Sequence, residues 1–556
     1  MFTARQIESR QPLLLLAVLA LTTCAVEPGA CRAQGSTASA QRGQPRSRQT
    51  EQLVAEGVAA FERGDAASAR ASFDKALRLN PDDVAAHTYL GIMADGAGDL
   101  KEAERHFSAA ALADPFRASA RNNYGAILMR TGRHKLAAVQ FEASLKLDRR
   151  QPNALVNLAQ IRFASGAPED LAAAADLFAR AYEIRPDAEV ARALTVVSLR
   201  RQDKAAATAR YREYATLLAA ETGTSAHAQP ARAELGAALS EAGLLEEAKE
   251  ELTAAVNLNP ADSDSVVRLA RVQLARKDIP AAGRTLEAAV ARGHDPAPVY
   301  ALLAEVYEQA GRVENAIPAM RLAIQRDPRS EKYRFAYGLL LVNAYAPAAA
   351  AIRLEEALKV FPDSSRLWFA LGLAHFKLDK DEEATRALRR AAELDPKFGP
   401  PYAYLGMMRA KAGAYPEAVA LYEDALRADP KLAPAHYLIA EALLKQTSAD
   451  SARVESHLRR AVELDATFTP ARLSLGRFYM RAERWDAAVA ELEKAASLDP
   501  DVAEAHYQLG RAYVRLKRQQ DAQTALATFK RLSETQKARE DSELREVVKR
   551  LANVRF

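Results

Sequence analysis

The residues most able to do chemistry in this sequence are its nine histidines and two cysteines. Histidine acts as a general base or metal ligand only beside suitably spaced partners. The sequence has no H-E-x-x-H motif, phosphate-binding loop, G-x-S-x-G motif or dinucleotide fingerprint. His87, His436 and His506 occupy equivalent places in similar segments, where Trp368 and Tyr402 stand elsewhere. We therefore interpret them as packing residues and predict no catalytic residue, no metal site and no cofactor.

The two cysteines belong to the amino-terminal region. Cys24 and Cys31 lie in or beside an apolar run at 13–26, which Arg5 and Arg10 precede. The run is too short to span a bilayer comfortably and is typical of an export signal. From residue 34 onward the chain has no thiol, which excludes both a disulfide framework and a thiolate site.

The end of the signal has more than one reading. Small residues allow cleavage after Ala25 or after Ala33, and we assign 1–33 to the signal peptide. Leu21-Thr22-Thr23-Cys24 also resembles a lipoprotein cleavage box, in which Cys24 would carry a lipid anchor. Residues 34–50 contain arginine, glycine, serine and glutamine without an acid, which predicts a disordered basic linker.

Composition narrows the class of protein. Apolar residues make up 49% and charged residues 27% of the 556 residues, and the net charge is only +5, so nothing indicates nucleic acid as a partner. No segment after the signal predicts a transmembrane helix. The sequence also has no Asn-x-Ser/Thr sequon. Together these features predict an exported bacterial protein of the periplasm or cell envelope.

One segment of about 34 residues is repeated along most of the chain. Asp-Pro or Asn-Pro pairs and other helix-ending prolines recur at positions 81, 115, 260, 296, 328, 362, 396, 430 and 500. Alanines recur in steps of 34 at 69, 103 and 137, at 316, 350, 384 and 418, and at 488 and 522. Such a fixed period is the signature of a linear array of repeats.

Each repeat predicts two amphipathic helices. In residues 399–430 the apolar and small residues recur in steps of three and four on either side of Gly413. Gly406 on the first helix and Ala418 on the second are small enough to let the two helices approach closely. Pro430 cannot continue the second helix, so the chain turns there into the next repeat.

The spacing and the residue types resemble the tetratricopeptide repeat family. The resemblance covers about residues 50 to 533 and rests on units such as Trp368, Leu371, Gly372, Ala384, Leu388, Ala391 and Pro396, and His87, Leu90, Gly91, Ala103, Phe107, Ala110 and Pro115. It implies an all-α fold: a right-handed superhelical α-solenoid of about fourteen helix-turn-helix repeats, with a C-terminal capping helix.

The repeats divide into two predicted arrays. The first covers 51–220 and is degenerate from about 150, the second covers 229–533, and 534–556 is the predicted capping helix. The stretch 150–228 has two readings: two divergent repeats within a continuous stack, or a joint between the arrays.

The resemblance also implies a binding surface. In this family the first helix of each repeat lines a concave groove and binds peptides. The family register places cations at the thirteenth or ninth positions and aromatics between them: Lys377, Lys411, Lys445, Arg477, Arg481, Arg511, Arg515, Phe376, Tyr437 and Tyr507. One reading is a track for an acidic or carboxylate-ended segment. The other is ordinary helix-end chemistry, in which a cation meets exposed carbonyls.

The sequence therefore predicts an exported, non-catalytic scaffold or adaptor that binds proteins or peptides in bacterial envelope assembly or secretion. Two alternatives remain at this level. One is a substrate-presenting subunit of a glycosyltransferase or peptidase system, and the other is an outer-membrane assembly factor anchored by a lipid at Cys24.

Overall fold

The described part of the chain is built of α-helices alone. A computed structural model describes residues 47–220, 228–446 and 450–533, with Val547, Arg550 and Leu551. These residues contain 28 helices and no strand, which confirms the predicted all-α repeat fold. The predicted signal peptide and residues 34–46 of the predicted linker lie outside the described residues. Helix α1 begins at Arg48, three residues before the predicted start of the first array.

The described residues form two compact units, one that ends at Asp278 and one that begins at Ile279. The helices of the first unit are α1 (Arg48–Glu62), α2 (Ala66–Leu79), α3 (Val84–Gly96), α4 (Leu100–Ala113), α5 (Ala118–Arg130), α6 (His134–Leu147), α7 (Pro152–Ser165), α8 (Pro168–Ile184), α9 (Ala188–Arg200), α10 (Lys204–Ala220), α11 (Ala228–Glu241), α12 (Leu245–Leu258) and α13 (Ser263–Ala275).

The helices of the second unit are α14 (Ile279–Ala291), α15 (Ala297–Gln309), α16 (Val313–Arg326), α17 (Glu331–Asn343), α18 (Pro347–Leu358), α19 (Ser365–Lys377), α20 (Asp381–Leu394), α21 (Gly399–Lys411), α22 (Tyr415–Ala428), α23 (Ala433–Leu444), α24 (Ser451–Leu464), α25 (Thr469–Arg481), α26 (Trp485–Leu498), α27 (Ala503–Arg515) and α28 (Gln519–Ser533). Odd-numbered helices are the first helices of the repeats, and even-numbered helices are the second. Within each unit most first helices pack against the second helix of their own repeat and against the second helix of the preceding repeat, and several first helices also contact the first helix of the next repeat. None of the described helices combines the length and the apolar character needed to cross a membrane.

Helix ends follow local chemistry. The side chains of Asp65, Asp83 and Asp99 accept hydrogen bonds from the first-turn N–H groups of α2, α3 and α4, which would otherwise lack partners. Gly413 has a φ of +78° in the turn between α21 and α22, a backbone conformation that favours glycine. Aspartate and glycine therefore set the bounds of these hairpins.

The small residues of the repeat let the two helices of a hairpin approach closely. A Cβ atom placed on Gly406 would lie 2.5 Å from Cε1 of Tyr422, and Tyr422 is buried. Gly91 and Gly125 are in the same relation to Phe107 and Phe141. The predicted close approach at Gly406 is confirmed. The group that Gly406 approaches is the Tyr422 ring, on the second helix of the same hairpin.

The alanines that recur every 34 residues lie in the core. Eight of them are 0% exposed and Ala522 is 4% exposed; the eight are Ala69, Ala103, Ala137, Ala316, Ala350, Ala384, Ala418 and Ala488. Most of the core of the second unit is one cluster that begins at Tyr300 and includes Leu551. The first unit contains several successive clusters. The 34-residue step is therefore a step from one buried position to the next.

The degenerate stretch folds as ordinary hairpins. Residues 152–220 form α7 to α10, and one core cluster extends from Ala188 to Val272 across both sides of residues 221–227. This cluster favours the reading of a continuous stack at this place. The division between the compact units falls after Asp278, whereas the sequence divides the predicted arrays at 220–229.

Candidate functional site

The predicted binding residues lie on the first helices of the second unit. We count positions from the first residue of each helix. The first-helix face is the surface formed by the second, fifth, ninth, twelfth and thirteenth positions of α15, α17, α19, α21, α23, α25 and α27. These helices have their thirteenth positions at one edge, where each first helix ends. Their first turns form the opposite edge, because neighbouring first helices occupy equivalent places in successive hairpins.

The thirteenth-position cations are not equivalent. Lys411 donates a hydrogen bond of 2.8 Å to Asp379, in the turn of the preceding hairpin, and this bond lowers the pKa of the Asp379 carboxyl. Arg515 lies 5.8 Å from the centre of the Trp485 ring. Lys377, Lys445 and Arg481 are exposed, and within the described residues no ion-pair partner is found for them. Three cations of the predicted row are thus available to a ligand.

Elsewhere in the chain the thirteenth position joins one hairpin to the previous one. Arg130 pairs with Asp95, and Asn343 donates to Glu308 at 3.1 Å, each over one repeat. The Lys411 pair with Asp379 belongs to this class. Lys411 therefore contacts the preceding repeat. The interpretation of the row as helix-end chemistry predicts a cation beside exposed carbonyls and does not include this contact.

The ninth-position arginines also differ. Arg477 donates to Ser474 at 2.7 Å and pairs with Glu441 at 3.4 Å, so its charge is already partly neutralised. Arg511 is exposed, donates to Gln508 at 3.3 Å and lies 5.7 Å from the centre of the Tyr507 ring. Only Arg511 presents its charge as the sequence predicts.

The three predicted aromatics differ in their exposure to solvent. Tyr437 is buried against Phe468, with 5.4 Å between the ring centres. Phe376 is half-buried, with the Lys411 ammonium 5.9 Å from its ring centre. Tyr507 is 38% exposed. Tyr507 is therefore the aromatic of this set most available to a partner.

The fourth position of the first helices has a polar function that the sequence analysis missed. In six of the first helices its side chain donates to a main-chain carbonyl six residues earlier, in the loop that precedes the helix. The observed pairs are His87 with Pro81, Arg121 with Pro115, Arg334 with Pro328, Trp368 with Pro362, Arg472 with Ala466 and His506 with Pro500. Trp, His and Arg all supply an N–H donor, which explains why they exchange here. The histidines are packing residues and loop donors at once.

Two histidine pairs occupy equivalent places in distant repeats. Nδ1 of His87 lies 2.9 Å from Nδ1 of His106, and Nδ1 of His436 lies 2.9 Å from Nδ1 of His457. Burial, with the nearby Arg105, lowers the pKa of His106 to about 4. Burial, with His457, lowers the pKa of His436 to about 4. His106 and His436 are therefore neutral at pH 7, and within each pair one ring donates to the other.

A buried polar cluster in the first unit also has shifted pKa values. Glu251 is 3% exposed, accepts hydrogen bonds from Tyr211 and Tyr214, and pairs with Arg232 at 3.2 Å. Burial raises the pKa of the Glu251 carboxyl and of both tyrosines. These groups satisfy one another and join α10 to α11 and α12. Among the described residues no three His, Cys, Asp or Glu side chains are placed to hold a metal ion.

Models of one repeat family match most of these hairpins. A model described as TPR repeat matches residues 476–517. Models described as tetratricopeptide repeat match residues 54–104, 94–152, 239–306, 297–330, 365–398, 405–467 and 504–534. Together these segments cover more than half of the chain, and they leave out 153–238, where the predicted repeats are degenerate.

Several solved structures match the chain at low sequence identity. The APC/C hetero-tetramer Cut9-Hcn1 matches with 14% identity and a TM-score of 0.36, over 90% of this chain and 96% of that chain. Yeast Tom70 matches with 16% identity and a TM-score of 0.38, over 84% and 95%. MamA matches with 22% identity and a TM-score of 0.25, over 31% and 92%. No curated protein matches the chain.

Proposed function

The chain belongs to the tetratricopeptide repeat family, and we propose from this membership that it is a non-catalytic scaffold that binds a segment of another protein on the first-helix face of its second unit. Repeats of this family bind protein partners. The repeats also take up nearly the whole described chain, which supports a binding role without a catalytic domain.

The observation that carries this proposal is the group of exposed cations at one edge of the face. Lys377, Lys445 and Arg481 lack an ion-pair partner among the described residues, while Arg515 and Arg511 lie beside aromatic rings. Most other arginines of the second unit pair with a neighbouring carboxylate, as Arg484 does with Glu455. A row of unpaired cations attracts carboxylates, so the ligand is an acidic or carboxylate-ended segment.

Charge reversal tests the proposal. We expect the combined change Lys377→Glu, Lys445→Glu, Arg481→Glu and Arg515→Glu to lower partner capture at least about tenfold, because each lost attraction becomes a repulsion. Capture is measured in the native cell as the yield of intermolecular crosslinks from a photoreactive residue at Tyr507. Circular dichroism shows whether the variant stays helical.

The matched control reverses four exposed cations of second helices. Arg321→Glu, Arg389→Glu, Arg459→Glu and Lys530→Glu change the net charge by the same amount, and we expect an unchanged yield. An equal loss in both variants would show a response to overall charge and would contradict binding at this face. An unchanged yield in the first variant would also contradict it.

We propose further that the protein is exported and acts in assembly or secretion in a bacterial envelope. The support is the sequence of residues 1–33, with its basic start, apolar run and small residues. Mass spectrometry of the mature amino terminus tests this proposal. We expect a free terminus at residue 26 or 34, whereas an acylated Cys24 would indicate the lipid-anchored alternative, and an intact Met1 in the mature protein would contradict export.

A further inference from the structure

The first turns of three consecutive first helices are covered. The second-position residues of α21, α23 and α25 are all proline and all buried: Pro400, Pro434 and Pro470. The corresponding residues Ser119, Asp264 and Lys332 in other repeats are exposed. A second-position side chain lies on the first-helix face, so its burial places other parts of the chain over it.

The fifth position is buried in most first helices of the second unit: Phe335, Phe369, Ala403, Tyr437 and Leu473 are at most 6% exposed. Tyr507, at the fifth position of α27, is 38% exposed. Among the first helices of the second unit, burial at the second position is confined to α21, α23 and α25, and these helices define the covered area. Its prolines lack an N–H group, which makes this area apolar and poor in unsatisfied donors.

Arg550, near the carboxy terminus, lies at this area. The Arg550 side chain pairs with Asp465 and donates to the main-chain carbonyl of Thr467 at 3.1 Å. Its guanidinium lies 4.9 Å from the centre of the Phe468 ring. Phe468 precedes α25 directly and packs on Tyr437 of the first-helix face. Arg550 thus contacts the loop at the first-turn edge of the face, more than 80 residues away in sequence.

Two apolar side chains accompany this arginine. Val547 and Leu551 have helical backbone conformation, are each 1% exposed and belong to the core cluster of the second unit. Residues four apart lie on the same side of a helix, so both point towards the same surface. The described contacts of the predicted capping helix are therefore at the loop between α24 and α25, two hairpins before the end of the array. A cap on the last hairpin stays a prediction.

We infer that the carboxy-terminal end, through Val547, Arg550 and Leu551, is an intramolecular ligand of the first-helix face over α21, α23 and α25, and that a partner must displace it. The occupied area accepts a helix with two aliphatic side chains four residues apart and a cation beside them. At this edge the Asp465 carboxylate pairs with the cation of the ligand. The exposed cations Lys377, Lys445 and Arg481 lie at the opposite edge of the face. The displacement rests on the proposed function, whereas the occupancy does not.

A peptide of residues 541–556, DSELREVVKRLANVRF, tests the occupancy without any partner. The acceptor is the full chain with Val547→Asp and Leu551→Asp, which removes the apolar contacts of its own end. We expect the labelled peptide to bind this variant at least about tenfold more tightly than the wild-type chain, because a tethered segment competes at millimolar effective concentration. Fluorescence anisotropy measures both affinities.

A charge exchange identifies the site of binding. With Asp465→Arg added to the acceptor, we expect a peptide carrying Arg550→Asp to bind better than the unchanged peptide, which reverses the preference seen with Asp465. Equal peptide affinity for the wild-type and opened chains, no binding to the opened chain, or an unchanged preference would each overturn the inference. Peptide binding as expected, with photocrosslinking at Tyr507 insensitive to charge reversal, would instead overturn the proposed function alone.

Discussion

At the scale of single residues, the fourth position of the first helix shows how one side chain serves both packing and hydrogen bonding. Trp368 and His87 both fill the hairpin and both donate at 2.8 Å to a proline carbonyl six residues earlier. The repeat pattern predicts a bulky residue there because that requirement is local. It does not predict the hydrogen bond, since the acceptor carbonyl belongs to the preceding loop and comes within reach only in the folded chain.

The two histidine pairs predict a loss of stability in acid. The pKa values of His106 and His436 are about 4 in the folded chain, whereas the ordinary value of histidine is 6.5. Between these two pH values the unfolded chain therefore binds more protons than the folded chain. The free energy of unfolding therefore falls as the pH falls from about 6.5 to about 4, by on the order of 3 kcal/mol for each of these two histidines. Urea unfolding at a series of pH values measures it.

The matched variant replaces one pair by residue types that other repeats use. We expect His436→Tyr with His457→Leu to unfold with a smaller pH dependence than the wild-type chain over the same range, because Tyr402 stands at the equivalent position of another repeat. Identical pH dependence in the two proteins would show that these histidines do not titrate with folding.

At the scale of the helix, the approach of the two helices in a hairpin is what the repeat pattern encodes best. Gly406 and Ala418 lie where the spacing places them, in contact with or close to the buried partner helix. Such contacts join residues within one repeat, which is why periodicity predicts them. Contacts such as Lys411 with Asp379 join two repeats and depend on residue types that vary from one repeat to the next.

Substitution of glycine by alanine measures this approach. We expect Gly406→Ala to lower the free energy of unfolding by about 1–3 kcal/mol, since the new Cβ would lie 2.5 Å from the buried Tyr422 ring. Thermal or urea unfolding followed by circular dichroism gives the value.

Gly96 provides the control. It lies at the end of α3 with nothing within 4 Å of a Cβ placed on it, so Gly96→Ala is expected to be neutral or to stabilise the chain by up to about 1 kcal/mol. If both variants lost the same stability, helix-helix contact at Gly406 would not be the cause.

At the scale of the molecule, the sequence predicts the array better than it predicts how the array is used. The hairpins from α1 to α28 follow the 34-residue step, and even the degenerate stretch 152–220 keeps it closely enough to fold as hairpins. The cationic row is only partly as expected, because Arg477 and Lys411 pair with carboxylates of the preceding repeat. The contact of Arg550 with Asp465 has no signal in the repeat pattern, since it joins the repeats to a segment outside them.

The most direct test of the account is a photocrosslinking map of the second unit in the native cell. A photoreactive residue is placed singly at Lys377, Lys445 and Arg481 on the first-helix face, and at Arg321, Arg389 and Arg459 on the second helices, in the wild-type chain and in the Val547→Asp, Leu551→Asp chain. We expect intermolecular crosslinks at the first three positions only, with a higher yield in the double variant. Crosslinks confined to the second helices, or equally frequent on both sets, would contradict binding at the first-helix face.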